Sequence, residues 1–262
     1  MSLHLGAVGY LNARPLTWAL DKAPQRWQVR YDVPAMSAEL LAAGRIDLGL
    51  VSSIEYLRSE EYRLVPGVGI GSFGPVRSVA LYTKVPIDQV RLVAVDTSSR
   101  TSVALLRVLC DRHFHIAPEF VSKPPDLDAM VAVCDAGLLI GDPAFEARHE
   151  ALGLTKIDLG AAWTEMTGLP FVYAAWTGPN RQVRPADVEA LQQAQRDGVA
   201  AFPAIAAEYG GEDAARTARA LDYLRHNVRY GLGRPEIEGL QRFLDYAVEL
   251  HLAPARRVVA FF

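Results

Sequence analysis

The sequence has only two cysteines, Cys110 and Cys134, among its 262 residues. Cys110 falls in a helical apolar pattern and Cys134 precedes a predicted strand, so we expect both thiols to be buried in the core. Neither cysteine has a histidine at the spacing of a metal site, so the sequence carries no metal-binding signal. We therefore expect a protein that uses neither a metal nor a cofactor.

Long runs of a single kind of residue are also missing. No long basic run accompanies the formal net charge of −3, which argues against a nucleic-acid-binding surface. No stretch approaches the length of a membrane span, and Met1 leads into the first predicted strand without a signal peptide. We therefore expect a cytoplasmic protein that binds neither nucleic acid nor membrane. The sequence leaves the oligomeric state open.

Strand and helix patterns alternate over the first two-thirds of the chain, which indicates βαβ units and a largely parallel sheet. Two long extended runs, residues 76–84 and 170–177, flank a second alternating set, and three helical patterns follow. We predict a two-lobed α/β protein with two crossover strands and a central cleft. Residues 1–84 and 177–262 would form lobe one, and residues 85–176 an inserted lobe two. A cleft of this kind is a natural ligand site that closes by hinge bending.

Small polar residues follow four of the predicted strands. Because the carboxyl ends of parallel strands meet at one edge of a sheet, we expect these residues to gather around the cleft. They are Asn12, Ser52 with Ser53, the run from Asp96 through Thr97 to Ser102, and Gly141 with Asp142.

Asn12 is placed between the first predicted strand and Pro15, which opens a helical run. The first turn of a helix presents unpaired N–H groups, and a polar side chain there either caps the helix or contacts a ligand. The residues alone leave both possibilities open for Asn12, as they do for Ser52 and Asp142.

The segment Ser99-Arg100-Thr101-Ser102 begins a long predicted helix. Its hydroxyls and free N–H groups suit a carboxylate or a phosphate, and Arg100 could add a bidentate partner. One N-cap needs only one hydroxyl, so we favour anion binding over simple capping.

Ser78 lies inside a hydrophobic extended run, where a hydroxyl needs a partner or a ligand, so we predict that it faces the cleft. The sequence has no nucleophile elbow, phosphate loop, dinucleotide fingerprint or zinc motif. The residues thus indicate a cleft protein for a small anionic ligand, either an enzyme or a solute-binding protein.

Five motifs favour an enzyme over a solute-binding protein. They are Gly9–Asn12 with Pro15-Leu16, Gly74-Pro75 with Ser78, Ser98–Ser102, Leu139–Asp142, and Trp163–Val172. In this order they resemble the chorismate dehydratase family of the futalosine route to menaquinone. The resemblance implies a periplasmic-binding-protein type II fold and the elimination of water from chorismate, giving 3-[(1-carboxyvinyl)oxy]benzoate.

The resemblance also implies roles for single residues. Asn12 and Ser78 match the active-site Asn and Ser of the family. The predicted substrate-binding residues, which would hold the dicarboxylate chorismate, are Ser52, Ser99, Arg100, Thr101, Ser102, Gly141 and Asp142. Two alternatives stay open: the 1,4-dihydroxy-6-naphthoate synthase of the same pathway, and a non-catalytic solute-binding protein for a small anion.

Overall fold

A computed structural model describes residues 3–96, 98–180 and 183–262. Thr97, a member of the predicted polar run, lies outside the described residues. The strands are β1 (Leu3–Ala7), β2 (Trp27–Tyr31), β3 (Leu48–Ser52), β4 (Tyr62–Ser72), β5 (Val79–Thr83), β6 (Leu92–Val95), β7 (Glu119–Ser122), β8 (Ala136–Ile140), β9 (Thr155–Asp158) and β10 (Phe171–Pro179). The helices are α1 (Arg14–Asp21), α2 (Pro34–Ala42), α3 (Arg100–Leu109), α4 (Leu127–Val133), α5 (Gly141–Glu146), α6 (Leu159–Thr167), α7 (Pro185–Ala200), α8 (Phe202–Gly210), α9 (Ala214–His226) and α10 (Arg234–Glu249).

The strands form two five-stranded sheets. The first has the order β2-β1-β3-β10-β4, in which β1 is parallel to β2 and β3, and β10 is antiparallel to both of its neighbours. The second has the order β7-β6-β8-β5-β9, with β6 parallel to β7 and β8, and β5 antiparallel to its neighbours. We call the first sheet with α1, α2 and α7–α10 lobe one, and the second sheet with α3–α6 lobe two. The predicted two-lobed α/β fold is confirmed.

The chain crosses between the two sheets after β4 and again before β10. Each of the two extended runs was predicted to cross between the lobes, but each contains a strand that belongs to one sheet only. β5 pairs along its whole length with β8 and β9 in lobe two, although the predicted boundary at residue 84 placed it in lobe one. β10 pairs with β3 and β4 in lobe one, on the other side of the boundary predicted at residue 177. A strand paired along its whole length belongs to its sheet, so the crossings are the short segments before β5 and before β10.

Proline and burial explain the local details. α7 ends at Ala200 and α8 begins at Phe202, because Pro203 in the first turn of α8 has no N–H to continue the helix of α7. Cys110 and Cys134 are both buried, as predicted, and burial raises the pKa of the Cys110 thiol to about 12. Within the described ranges, no helix is both long enough and apolar enough to span a membrane.

Candidate active site

The carboxyl ends of β1, β3, β6 and β8 converge on a small cavity between the lobes. Its volume is about 50 Å³. Its polar wall is formed by Asn12, Ser52, Ser99, Ser102, Tyr10, Tyr173 and the backbone of Gly141. Its apolar wall includes Val8, Leu50, Ile70, Val79 and Ile140. The structure thus brings together residues from all four predicted junctions.

Asn12 lies in the turn between β1 and α1. The N-cap of α1 is Ala13, and no side chain caps that helix, so Asn12 is not a helix cap. Its side-chain oxygen Oδ1 is buried and has no hydrogen-bond partner among the described residues. An unpaired buried oxygen costs roughly 1–3 kcal/mol, so this atom is a strong acceptor for any ligand that brings a hydrogen.

Ser99 and Ser102 bring the start of α3 to the cavity. Ser99 is the N-cap of this helix, because its Oγ accepts a hydrogen bond from the backbone N–H of Ser102 at 3.3 Å. The two hydroxyl oxygens are 3.0 Å apart and share a hydrogen bond. Ser99 therefore caps the helix, and both serines line the cavity, where the positive end of the helix dipole favours an anion.

The other two residues of this segment lie on the seam between the lobes. Thr101 Oγ1 accepts a hydrogen bond from the backbone N–H of Ile54 in lobe one at 3.0 Å. The guanidinium of Arg100 donates to Glu39 at 2.5 Å and to Glu55 at 3.1 Å, both also in lobe one. Neither Arg100 nor Thr101 is part of the cavity wall. Their predicted contact with a ligand stays a prediction.

Glu55 is the buried carboxylate that pairs with two arginines at this seam. Its side chain is only 3 % exposed, and Arg58 pairs with it at 3.0 Å beside Arg100. A groove of about 580 Å³ opens outward from these side chains, between α3 and residues 252–254. The groove lacks the converging hydroxyls of the smaller cavity, and two of the arginines that line it, Arg58 and Arg100, are held by carboxylates, while Arg107 lies over the ring of Phe120. We therefore take the smaller cavity as the candidate active site.

Asp142 also joins the lobes. Its Oδ1 accepts a hydrogen bond from the backbone N–H of Leu11 at 2.9 Å, and burial raises the pKa of this carboxyl above its ordinary value. The neighbouring Gly141 has a φ of 59°, and a Cβ atom there would lie 2.6 Å from the ring of Tyr10. Only glycine fits at this position, which lets the Tyr10 ring pack against the backbone at the cavity wall.

Ser78 lies directly before β5 and is 1 % exposed. Its Oγ accepts a hydrogen bond from the phenolic hydroxyl of Tyr223 in α9 at 2.7 Å, and its carbonyl accepts from the N–H of Gly141 at 2.8 Å. Burial raises the pKa of Tyr223, and the neighbouring Ser78 and Asn12 side chains act against this rise. Asn12, Ser78 and Tyr223 therefore form one polar cluster. Asn12 lines the cavity, whereas Ser78, Tyr223 and Asp142 lie behind its wall, so the predicted contact of Ser78 and Asp142 with a ligand stays a prediction.

Sequence reasoning did not find Tyr223 or Tyr173. Tyr223 belongs to the buried face of an amphipathic helix, where a tyrosine cannot be distinguished from any other core aromatic residue. Tyr173 is the third residue of β10, and its hydroxyl is 2.9 Å from Ser72 Oγ. In the part of the chain that the structure describes, no cluster of three or more His, Cys, Asp or Glu side chains is placed to hold a metal ion.

A model of the protein family described as menaquinone biosynthesis matches residues 3–249. The chain belongs to this menaquinone biosynthesis family. It is 32 % identical over 267 aligned residues to the chorismate dehydratase of Thermus thermophilus, covering 95 % of this chain and 96 % of that protein. The resemblance predicted from the motifs is therefore confirmed.

Solved structures with the same fold are much more distant in sequence. Protein AF1704 from Archaeoglobus fulgidus superposes with a TM-score of 0.71 at 19 % identity, covering 96 % of this chain and 98 % of that one. The periplasmic aliphatic sulphonate-binding protein SsuA from Escherichia coli gives a TM-score of 0.69 at 19 % identity, covering 98 % and 90 %. This member of the menaquinone biosynthesis family therefore has the predicted periplasmic-binding-protein type II fold.

Proposed function

We propose that the protein is a chorismate dehydratase, a hydro-lyase that converts chorismate into 3-[(1-carboxyvinyl)oxy]benzoate and water in the futalosine route to menaquinone. The observation that carries this proposal is the buried, unpaired Asn12 Oδ1 in a hydroxyl-lined cavity between the lobes. The match to the Thermus enzyme over almost the whole chain supports it. A cytoplasmic location is part of the same proposal, since chorismate is an intermediate of biosynthesis.

The two carboxylates of chorismate need separate sites. Ser99 and Ser102 offer hydroxyls at the positive end of α3, which suits one carboxylate. Ser52 approaches the cavity from the end of β3 in lobe one. A ligand that contacts Ser52 and Ser102 together touches both lobes and holds them closed.

The reaction is an elimination. The proton on ring carbon C3 leaves, its electron pair becomes a ring double bond, and the C4–O bond breaks with its electrons on oxygen. The departing hydroxide takes up a proton and leaves as water, while the ring becomes aromatic. Because aromatisation drives the reaction forward, the enzyme has mainly to orient the substrate and hydrogen-bond to the groups that change charge.

Asn12 and Ser78 are the residues we assign to the leaving hydroxyl. Among the described residues that form the cavity wall, none is a carboxylate, a histidine or a lysine. We therefore assign proton removal to a carboxylate of the substrate itself, held by the closed cleft in reach of C3.

Closure is part of this proposal. A cavity of about 50 Å³ holds roughly one or two water molecules. Small-molecule sites are commonly about 300 Å³ or larger, so chorismate enters only when the lobes separate. Separation breaks the Thr101–Ile54 and Asp142–Leu11 hydrogen bonds, which hold the lobes in the present arrangement.

The direct test is incubation of the purified protein with chorismate, followed by mass spectrometry of the products. We expect 3-[(1-carboxyvinyl)oxy]benzoate. Unchanged chorismate, or only its spontaneous products, would contradict the proposal. Binding of chorismate without conversion would favour the solute-binding alternative, and turnover of a cyclised futalosine derivative would favour the naphthoate synthase.

Two substitutions then test the assigned roles. Asn12→Ala and Ser78→Ala should each lower kcat, by roughly 100-fold, with a smaller effect on KM, because the lost contacts strengthen as the hydroxyl departs. Asn180→Ala is the matched control, since Asn180 is an exposed amide outside the cavity. Full activity in both active-site variants would show that the assigned roles are wrong.

A further inference from the structure

The hydroxyl of Tyr223 fixes the direction of the hydrogen bonds around Ser78. Tyr223 donates its only hydroxyl hydrogen to Ser78 Oγ at 2.7 Å. A serine hydroxyl has one hydrogen and two lone pairs, so Ser78 keeps its own hydrogen for another acceptor. Within the described residues, no acceptor for that hydrogen is present, although Ser78 is almost completely buried. Ser78 is thereby left as a hydrogen-bond donor.

The same tyrosine orients Asn12. The phenolic oxygen of Tyr223 still has lone pairs, and the Asn12 side chain lowers the pKa of this phenol, as a hydrogen-bond donor does. Because the phenol hydrogen goes to Ser78, the group of Asn12 that this oxygen can face favourably is the amide NH₂. The amide oxygen Oδ1 then points away from Tyr223, which agrees with its being buried and unpartnered. Asn12 is thereby left as an acceptor.

A donor and an acceptor that both neighbour the Tyr223 hydroxyl match one ligand group in particular. A hydroxyl accepts from Ser78 and donates to Asn12, whereas a carboxylate or carbonyl oxygen can only accept and would face the Asn12 oxygen unfavourably. We propose that Tyr223 is a positioning residue that makes Asn12 and Ser78 selective for a hydroxyl group. The inference rests on the proposed function, in which that group is the departing C4 hydroxyl of chorismate.

Packing alone does not require this hydroxyl. The Tyr223 ring packs against Phe145 with 4.7 Å between the ring centroids, a contact that a phenylalanine would make equally well. A buried phenol hydroxyl without a partner is unfavourable, so the Tyr223 hydroxyl needs its neighbours Ser78 and Asn12. Its effect on them is to leave Ser78 as a donor and Asn12 as an acceptor.

The test compares two variants, Tyr223→Phe and Tyr230→Phe, each of which loses only a phenolic hydroxyl. Tyr223→Phe removes the hydroxyl that orients the cluster. Tyr230→Phe is the matched control, because Tyr230 is also buried in lobe one and its hydroxyl has no hydrogen-bond partner among the described residues. Each variant is assayed for kcat and KM with chorismate, and for affinity by calorimetry with chorismate and with the dehydrated product, which lacks the hydroxyl.

We expect Tyr223→Phe to lower kcat/KM by roughly 10- to 100-fold through misplacement of the reacting groups. Its affinity for the dehydrated product should change by less than about twofold, since the product has no hydroxyl to recognise. A general packing defect would weaken both ligands alike. Equal behaviour of Tyr223→Phe and Tyr230→Phe, in a wild-type background that dehydrates chorismate, would overturn the inference.

A double variant checks that Tyr223 acts through Ser78. In the Ser78→Ala background, Tyr223→Phe should lower kcat/KM by less than it does in the wild type, because only its effect on Asn12 is left to lose, and independent, multiplying losses would contradict the proposal. The wild-type turnover assay judges the proposed function separately. A wild-type protein that binds chorismate without converting it would end the dehydratase proposal. The role of Tyr223 would still be supported if the wild-type protein bound chorismate more tightly than the dehydrated product and Tyr223→Phe lost this preference.

Discussion

The four residues at the start of α3 face two different parts of the molecule. Ser99 and Ser102 are three positions apart, share a hydrogen bond and line the cavity. Arg100 and Thr101, placed between them, turn to the seam and bond to lobe one. Successive helical residues advance by about 100° around the axis, so a continuous polar segment is necessarily divided between faces. One pair lines the cavity, and the other bonds to lobe one across the seam.

The largest effect on the seam should come from Thr101→Val. The substitution removes the acceptor of the buried Ile54 N–H and nearly keeps the side-chain shape, so the free energy of unfolding should fall by about 1–3 kcal/mol. Urea denaturation measures it. Thr155→Val, which changes an exposed threonine of the same lobe, should stay within about 0.5 kcal/mol of wild type. A Thr101→Val protein as stable as the control would show that this bond does not hold the seam.

On the cavity side, Ser99→Ala should lower both stability and ligand affinity. Loss of the N-cap costs about 1 kcal/mol, and the cavity also loses a hydroxyl. Asp126→Ala is the matched control, because Asp126 caps α4 in the same lobe through Ala129 N–H and does not line the cavity. Calorimetry with chorismate should show weaker binding for Ser99→Ala only. If both variants lose affinity equally, the loss comes from helix capping rather than from the cavity.

The smallest effect is expected for Arg100→Gln. The Arg100 side chain is 40 % exposed and Arg58 still pairs with Glu55, so thermal unfolding should show a loss below about 1 kcal/mol that shrinks further in high salt. Arg58→Gln, on the same carboxylate, should behave alike. Arg100→Gln also tests whether Arg100 belongs to the seam rather than to the ligand site. Loss of chorismate binding at unchanged stability would mean that Arg100 leaves the seam to contact the ligand, as the family resemblance implies.

Much of the fold followed from the sequence because it depends on local patterns. Alternating apolar strands and amphipathic helices indicated the two-lobed architecture, and the strand ends located Asn12, Ser52, Ser99, Ser102 and Gly141. These positions are set by the chain's own periodicity and by the rule that parallel strands end at one edge.

What could not be predicted depends on contacts between distant segments. The partner of Ser78 is Tyr223, which is 145 positions away, and the partner of Asp142 is the N–H of Leu11, 131 positions away. Which sheet receives β5 or β10 is likewise decided by pairing over long distances, since the apolar pattern of a buried strand fits either sheet. The direction in which Arg100 points depends on Glu39 and Glu55, which belong to the other lobe.

The place of β10 has a consequence for the order of synthesis. When a ribosome has made the first 170 residues, all five strands of the second sheet exist, but the first sheet still lacks the strand between β3 and β4. Among the described strands, β4 pairs only with β10, and its single bridges to Arg229 and Phe261 come still later in the chain, so β4 has no partner strand until β10 has been made. Lobe two, although it starts later in the chain, is complete first. The cleft needs both lobes and α9, so it cannot be complete before residue 226 has been synthesised.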